Sequence, residues 1–267
     1  MAPRLMHRLA WLLLGTLLWL APSPAAAQTF TSGSTGADGP FSPPGTVPAG
    51  STVTGSTVTV PLPPSGIFHF TTISIPAGVT VTFTKNAANT PAILLATGNI
   101  TVSGTLDVSG KSGGPIGRPG AGGPGGFDGG AGGDGVTTTT AGAGLGPGGG
   151  LPGTTCGGTG GSYGTQGTTG ASTSPYYYSC ATPGTLGPPY GSPLLRPILG
   201  GSGGSGGTAA GVPGAAAGSG GGGGGALILA TSGALTLNSS GQIVADGGAL
   251  GAGISYHGGG GVGARSA

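Results

Sequence analysis

Ile67-Phe-His-Phe-Thr-Thr-Ile-Ser-Ile-Pro-Ala-Gly-Val-Thr-Val-Thr-Phe83, continued by Ala92-Ile-Leu-Leu-Ala-Thr97, Ile100-Thr-Val102 and Leu106-Asp-Val108, is the stretch whose pattern decides the fold. Apolar and polar residues alternate in short runs rich in β-branched and aromatic types, and Pro76-Ala-Gly78, Asn86, Gly98, Gly104 and Gly110 interrupt them. A period of two broken by turn residues predicts short β-strands, and Val58-Thr-Val60 extends the pattern toward the N-terminus. Beyond the first 27 residues no 3.6-residue period appears, so no helix is expected.

The pattern returns late in the chain. Ala92-Ile-Leu-Leu-Ala-Thr97 corresponds to Ala226-Leu-Ile-Leu-Ala-Thr231, Ile100-Thr-Val102 to Leu235-Thr-Leu237, and Gly104 to Gly110 to Gly241 to Gly247. Residues 53–111 and 226–248 thus carry the same supersecondary unit, with indels confined to turns. Such repeats suit a parallel β-solenoid, in which coils stack and like positions pile into ladders. An antiparallel sandwich is the competing arrangement, but two copies in the same chain order favour parallel stacking. The expected interior ladder is Ile93, Leu95, Ile100, Val102, Leu106 and Val108, with Leu227, Leu229, Leu235, Leu237, Ile243 and Ala245 from the second copy.

Between the copies, residues 112–225 form a Gly/Pro-rich insert with its own period. Glycine recurs at every third position from Gly114 to Gly135, from Gly158 to Gly170, and at Gly200, Gly203 and Gly206. Three residues per turn is the polyproline II repeat, and glycine on an edge lets such helices approach closely. Collagen is a poor fit to runs this short with few prolines. The insert is expected either to pack as polyglycine helices or to be a disordered linker.

Composition narrows location and partners. The 267 residues include 68 Gly and 24 Pro, and only 4% are charged. Arg4, His7 and Arg8 precede an apolar run from Leu9 to Ala21, and Ala25-Ala26-Ala27 offers a small-residue cleavage site, so residues 1–27 read as a secretory signal. The remainder is expected to be secreted, extracellular or at the cell surface, with no transmembrane span. Without that segment, Lys85, Lys111, Arg118, Arg196 and Arg265 balance five Asp, which argues against nucleic acid as a partner. In an exported chain, Cys156 and Cys180 read as a disulfide. Residues 28–52 look like a low-complexity, poorly ordered leader, and residues 249–267 like a Gly-rich tail.

Candidate chemistry is sparse. Gly129 to Thr137 matches a single calcium nonapeptide around Asp134, but no second copy follows at the required spacing, so no cofactor is assigned. Glycosidic chemistry needs paired carboxylates or a metal with a base, whereas Asp107 and Asp246 fall in different columns of the repeat alignment. His69 and His257 have no nucleophile or ligand set around them. An enzyme is therefore not expected. Thr52-Val-Thr54, Thr57-Val-Thr59 and Thr80-Val-Thr82 resemble the Thr-x-Thr arrays of ice-binding solenoids, but the unequal gaps between them favour ordinary outward strand positions. Tyr176, Tyr177 and Tyr178 form the densest aromatic group, fit either to stack on sugar rings or to pack on their own loop.

On the strand-rich run from Phe68, the segment Gly122-Gly-Pro-Gly-Gly-Phe127 and the hexaglycine Gly220 to Gly225, the chain resembles a group of exported bacterial glycine-rich β-helix proteins. The triplet-glycine part also looks like the polyglycine-II domains of some phage tail adhesins. The resemblance spans roughly Ile67 to Gly248 and brings no catalytic residue. It implies a structural or surface protein. With no further apolar coil after Gly258 to Gly261, an exposed last coil is expected to drive self-association into fibres or a matrix. The alternative expectation is an adhesin-like module presenting Tyr176 to Tyr178 to a glycan or cell surface.

Overall fold

The computed structural model describes residues 30–134, 141–153, 157–169, 184–209 and 216–253. Contacts divide the chain into residues 1–30 and 31–267, and the account below concerns the second unit. Its described residues contain strands and no helix, as the alternation predicts. The strands are β1 (Thr52–Thr54), β2 (Thr57–Pro61), β3 (Ile67–Phe70), β4 (Ile73–Ile75), β5 (Thr80–Thr84), β6 (Ala92–Ala96), β7 (Ile100–Val102), β8 (Thr105–Asp107), β9 (Leu227–Thr231), β10 (Leu235–Leu237) and β11 (Gln242–Val244).

They form three sheets, ordered β1-β2-β5-β8-β11, β10-β7-β4 and β3-β6-β9. Each of the triplets β3–β5, β6–β8 and β9–β11 gives one strand to each sheet, so two strands of a triplet serve as the crossover that a parallel pairing requires. Every pairing is parallel except the antiparallel β1–β2 hairpin. One apolar cluster lies between the sheets. Columns Ile73–Ile100 and Ile75–Val102 meet Val58–Val81–Leu106 and the Phe68–Leu94 pair, all of them buried. Phe70 stacks on Phe68 at 5.3 Å and on Phe41 at 5.1 Å, ring centre to ring centre.

Two details depart from the sequence reading. Ile93 and Leu95 do not line the interior; Ala92, Leu94 and Ala96 do, because β6 stacks on β3 with Leu94 beside Phe68 and Ala96 beside Phe70. The bulky rings fix the phase, and small alanines fit the space that remains. Likewise Ala92 aligns with Leu227 rather than Ala226, whose carbonyl accepts the Ala92 N–H at 2.9 Å. The other alignments hold: Ile100 pairs with Leu235, and Asp107 with Val244.

The threonines also line up more regularly than their spacing in the chain implies. Unequal loops are absorbed at the turns, so Thr57, Thr80 and Thr105 share one column, and Thr59, Thr82 and Asp107 the next. The hairpin adds Thr54 beside Thr57 and Thr52 beside Thr59. The irregular spacing inferred from unequal gaps is thereby corrected, while the outward strand positions hold.

Residues 31–51, expected to be poorly ordered, are laid against the strands. Phe41 is 1% exposed and continues the β4 edge, donating to Thr72 O and accepting from Ser74 N, both at 2.8 Å. The Asp38 carboxylate accepts the His69 N–H at 2.6 Å, and His69 Nδ1 accepts the Thr35 N–H at 3.3 Å.

The described part of the insert is joined by backbone bonds at every third residue. Segment 216–226 lies at the centre. Ala217, Gly220 and Gly223 donate to Gly133, Gly130 and Phe127, while Ser219, Gly222 and Gly225 donate to Gly114, Lys111 and Val108. Its carbonyls accept from Gly120 and Gly123, from Gly201, Gly204 and Gly207, and from Gly248 and Gly251. Five segments thus surround it, bonded from three rows of residues that point a third of a turn apart, as a three-residue helical period dictates. A Cβ on Gly223 would lie 1.8 Å from Gly201 O, so glycine is required there by space. At Gly78, in the turn before β5, it is required by a φ of +79° with nothing within 4 Å. Lys85, just past β5, pairs with Asp128, whose carboxylate also accepts the Gly122 N–H at 2.7 Å, tying the sheets to the glycine-rich part.

Candidate assembly face

The two ends of the strand stack differ. At one end Phe41 covers the edge of β4 and residues 38–39 that of β3, through Asp38 N to His69 O and Thr71 N to Gly39 O, while the exposed hairpin strand β1 pairs with β2 and is itself the edge of the five-stranded sheet. At the other end β9, β10 and β11 each have a neighbour on one side only among the described residues. Leu235, Leu237 and Ile243 are 56%, 55% and 47% exposed, although their partners Ile100, Val102 and Leu106 are fully buried.

Two devices that discourage edge pairing, charge and proline, are missing from the strands of this end. Leu-Ile-Leu-Ala-Thr, Leu-Thr-Leu and Gln-Ile-Val contain no charge and no proline. Beside β9, residues 194–198 border a shallow groove of about 510 Å³, with Leu194 80% exposed on its rim. Chemically the face offers rows of backbone donors and acceptors flanked by aliphatic side chains, which suits another strand rather than a small polar molecule.

The other sequence candidates are scattered. Asp107 Oδ1 accepts its neighbour Ser109 N–H at 2.8 Å, and Asp246 lies beyond β11 in the next segment, so the structure does not bring the two carboxylates into one column. His69 anchors residues 35–38, as described above. Among the described residues no three His, Cys, Asp or Glu side chains are grouped as metal ligands; Asp134 ends segment 126–134, whose backbone bonds to 216–226. Cys156, Cys180, Tyr176, Tyr177, Tyr178 and His257 lie outside the described residues. No described helix is long and apolar enough to cross a membrane.

One aromatic pair went unnoticed in sequence. Tyr163 meets Tyr190 edge to face at 5.2 Å and 88°. The Tyr190 hydroxyl donates to Gly200 O at 2.6 Å and accepts from Ser202 Oγ at 3.1 Å. Burial raises the pKa of both phenols above the ordinary tyrosine value. Their wide separation in the chain, among glycines, left no periodic signal.

No family model matches the chain, and no curated protein or solved structure is significantly similar to it.

Proposed function

We propose that this chain is a non-enzymatic, exported structural or surface protein, built as a parallel β-solenoid with a packed polyglycine-type insert, that self-associates through its β9–β11 end. The observation that carries this reading is the exposure of Leu235, Leu237 and Ile243 on strands whose outer edges have no described partner. Exposed strand edges without charge or proline recruit further strands. Because residues 38–41 cover two of the three sheets at the opposite end and β1 runs antiparallel in the third, the open ends of two copies would meet each other, an isologous contact that closes as a pair. Growth into fibres or a matrix then needs a second contact, and the glycine-rich segments are the natural source of it.

Sedimentation velocity and negative-stain electron microscopy of the purified protein over a concentration series test this reading. Concentration-dependent association is expected, and Leu235→Lys combined with Leu237→Lys is expected to abolish it with the circular dichroism unchanged. A wild-type protein that stays monomeric throughout the series removes the proposal.

A further inference from the structure

The outer face of the five-stranded sheet is a second surface, separate from its edge. On β1 and β2 two threonines stand two residues apart, on β5 three do, Thr84 lying beside Pro61, and Thr105 on β8 continues one column. Strands in a sheet are spaced about 4.8 Å apart, and alternate residues along a strand about 6.6 Å apart, so these hydroxyls and methyls form a rectangular grid of that size. The columns are in contact: the Thr59 and Thr82 hydroxyls lie 3.1 Å apart. Thr52, Thr54 and Thr57 are exposed, and Thr59, Thr80, Thr82 and Thr105 are half-buried by one another.

Solvation alone does not call for this redundancy. On the β4–β7–β10 sheet the outward hydroxyls form a single column, Ser74–Thr101–Thr236, whereas here one β-branched side chain with a stiff χ1 is repeated over neighbouring strands in two adjacent columns. A single small ligand would be met by several different groups; a repeated group suits a repeated partner. The candidates are crystalline solids. Ordered polysaccharide calls for aromatic platforms, and a mineral for a field of charge; apart from Asp107 at its margin the grid has neither. A grid of hydroxyls that each hold water, separated by methyls that exclude it, suits instead an ordered lattice of water.

The geometry points to the Thr52–Thr105 face as a surface that binds crystalline water. The test is inhibition of ice recrystallisation, with thermal hysteresis, by the purified protein. Wild type is expected to be active. Thr57→Tyr, at an exposed position, and Thr82→Tyr, at the centre, are expected to lose most of that activity, while Ser74→Tyr, on the outer face of β4 in another sheet, keeps it. Circular dichroism establishes that each variant is folded, and Thr57→Tyr decides the matter if the Thr82 variant unfolds. Inactivity of the folded wild type, equal activity of Thr57→Tyr and Ser74→Tyr, or retention on crystalline cellulose or chitin without any effect on ice would overturn the inference.

Discussion

Replacing Gly223 by alanine tests the reading of the glycine-rich part as a close-packed bundle. The added Cβ would sit 1.8 Å from Gly201 O and 2.3 Å from Gly201 C, both backbone atoms, when real contacts essentially never fall below 3.0 Å. Segment 200–207 must therefore retreat by more than an ångström. Gly201 donates to Gly224 O at 2.7 Å and accepts from Phe127 N at 3.1 Å, and both bonds break with that movement. Overpacking costs about 1–3 kcal/mol and each lost bond about 1 kcal/mol, for a total of about 3–5 kcal/mol. In a domain of this size that lowers Tm by roughly 10–15 °C, measurable by circular dichroism or calorimetry. Two controls separate space from conformation. Gly164→Ala meets nothing within 4 Å at an ordinary φ and is expected to be neutral or to stabilise by about 0.4–1 kcal/mol. Gly78→Ala also meets nothing but sits at φ +79°, and is expected to cost about 1 kcal/mol. A Gly223→Ala protein as stable as Gly164→Ala would refute the close-packed reading.

The core and the open end should respond differently to truncation. Leu94→Ala, at a fully buried position, is expected to cost about 2–5 kcal/mol, and Leu237→Ala, 55% exposed, no more than about 1 kcal/mol, by chemical denaturation at low protein concentration. The tyrosine pair predicts alkaline sensitivity. With the folded pKa of Tyr190 raised, its contribution is complete below the unfolded value of about 10 and is lost as pH rises through the higher folded value. Denaturation midpoints measured across that range are expected to fall more steeply for wild type than for Tyr190→Phe, and parallel curves would contradict this.

Strand positions were legible because alternation is a local signal, and the six register pairs of β7 with β10 and of β8 with β11 follow the repeat seen in the sequence. The facing of β6 was not legible. Ala92-Ile-Leu-Leu-Ala96 is apolar at every position, so alternation has no phase there, and only stacking on Phe68 and Phe70 supplies one. The threonine columns were hidden for a related reason: gaps counted along the chain include loops that leave the sheet, whereas register is set strand by strand. The covered end was missed because Phe41 is an isolated aromatic among Pro, Gly and Ser, and its partners lie about thirty residues on. Of the candidate assembly face, the aliphatic residues were visible and their exposure was not, since Leu235 and Leu237 read as interior by their match to Ile100 and Val102.

The position of segment 216–226 has a consequence for how the chain comes together in time. Residues 108–133 and 201–207 direct many of their backbone groups at it, and it is synthesised after all of them. Until it emerges, those earlier segments have only their bonds to one another, such as Gly130 N–H to Gly204 O, and loops of about a hundred residues must then close around one short stretch. The glycine-rich part therefore assembles as a late, single event, with segment 216–226 as the keystone. A chain ending before residue 216 keeps bonds such as Gly129 N–H to Gly120 O and Gly130 N–H to Gly204 O but loses those to 216–226, readable as rapid amide exchange at Gly120 and Gly123.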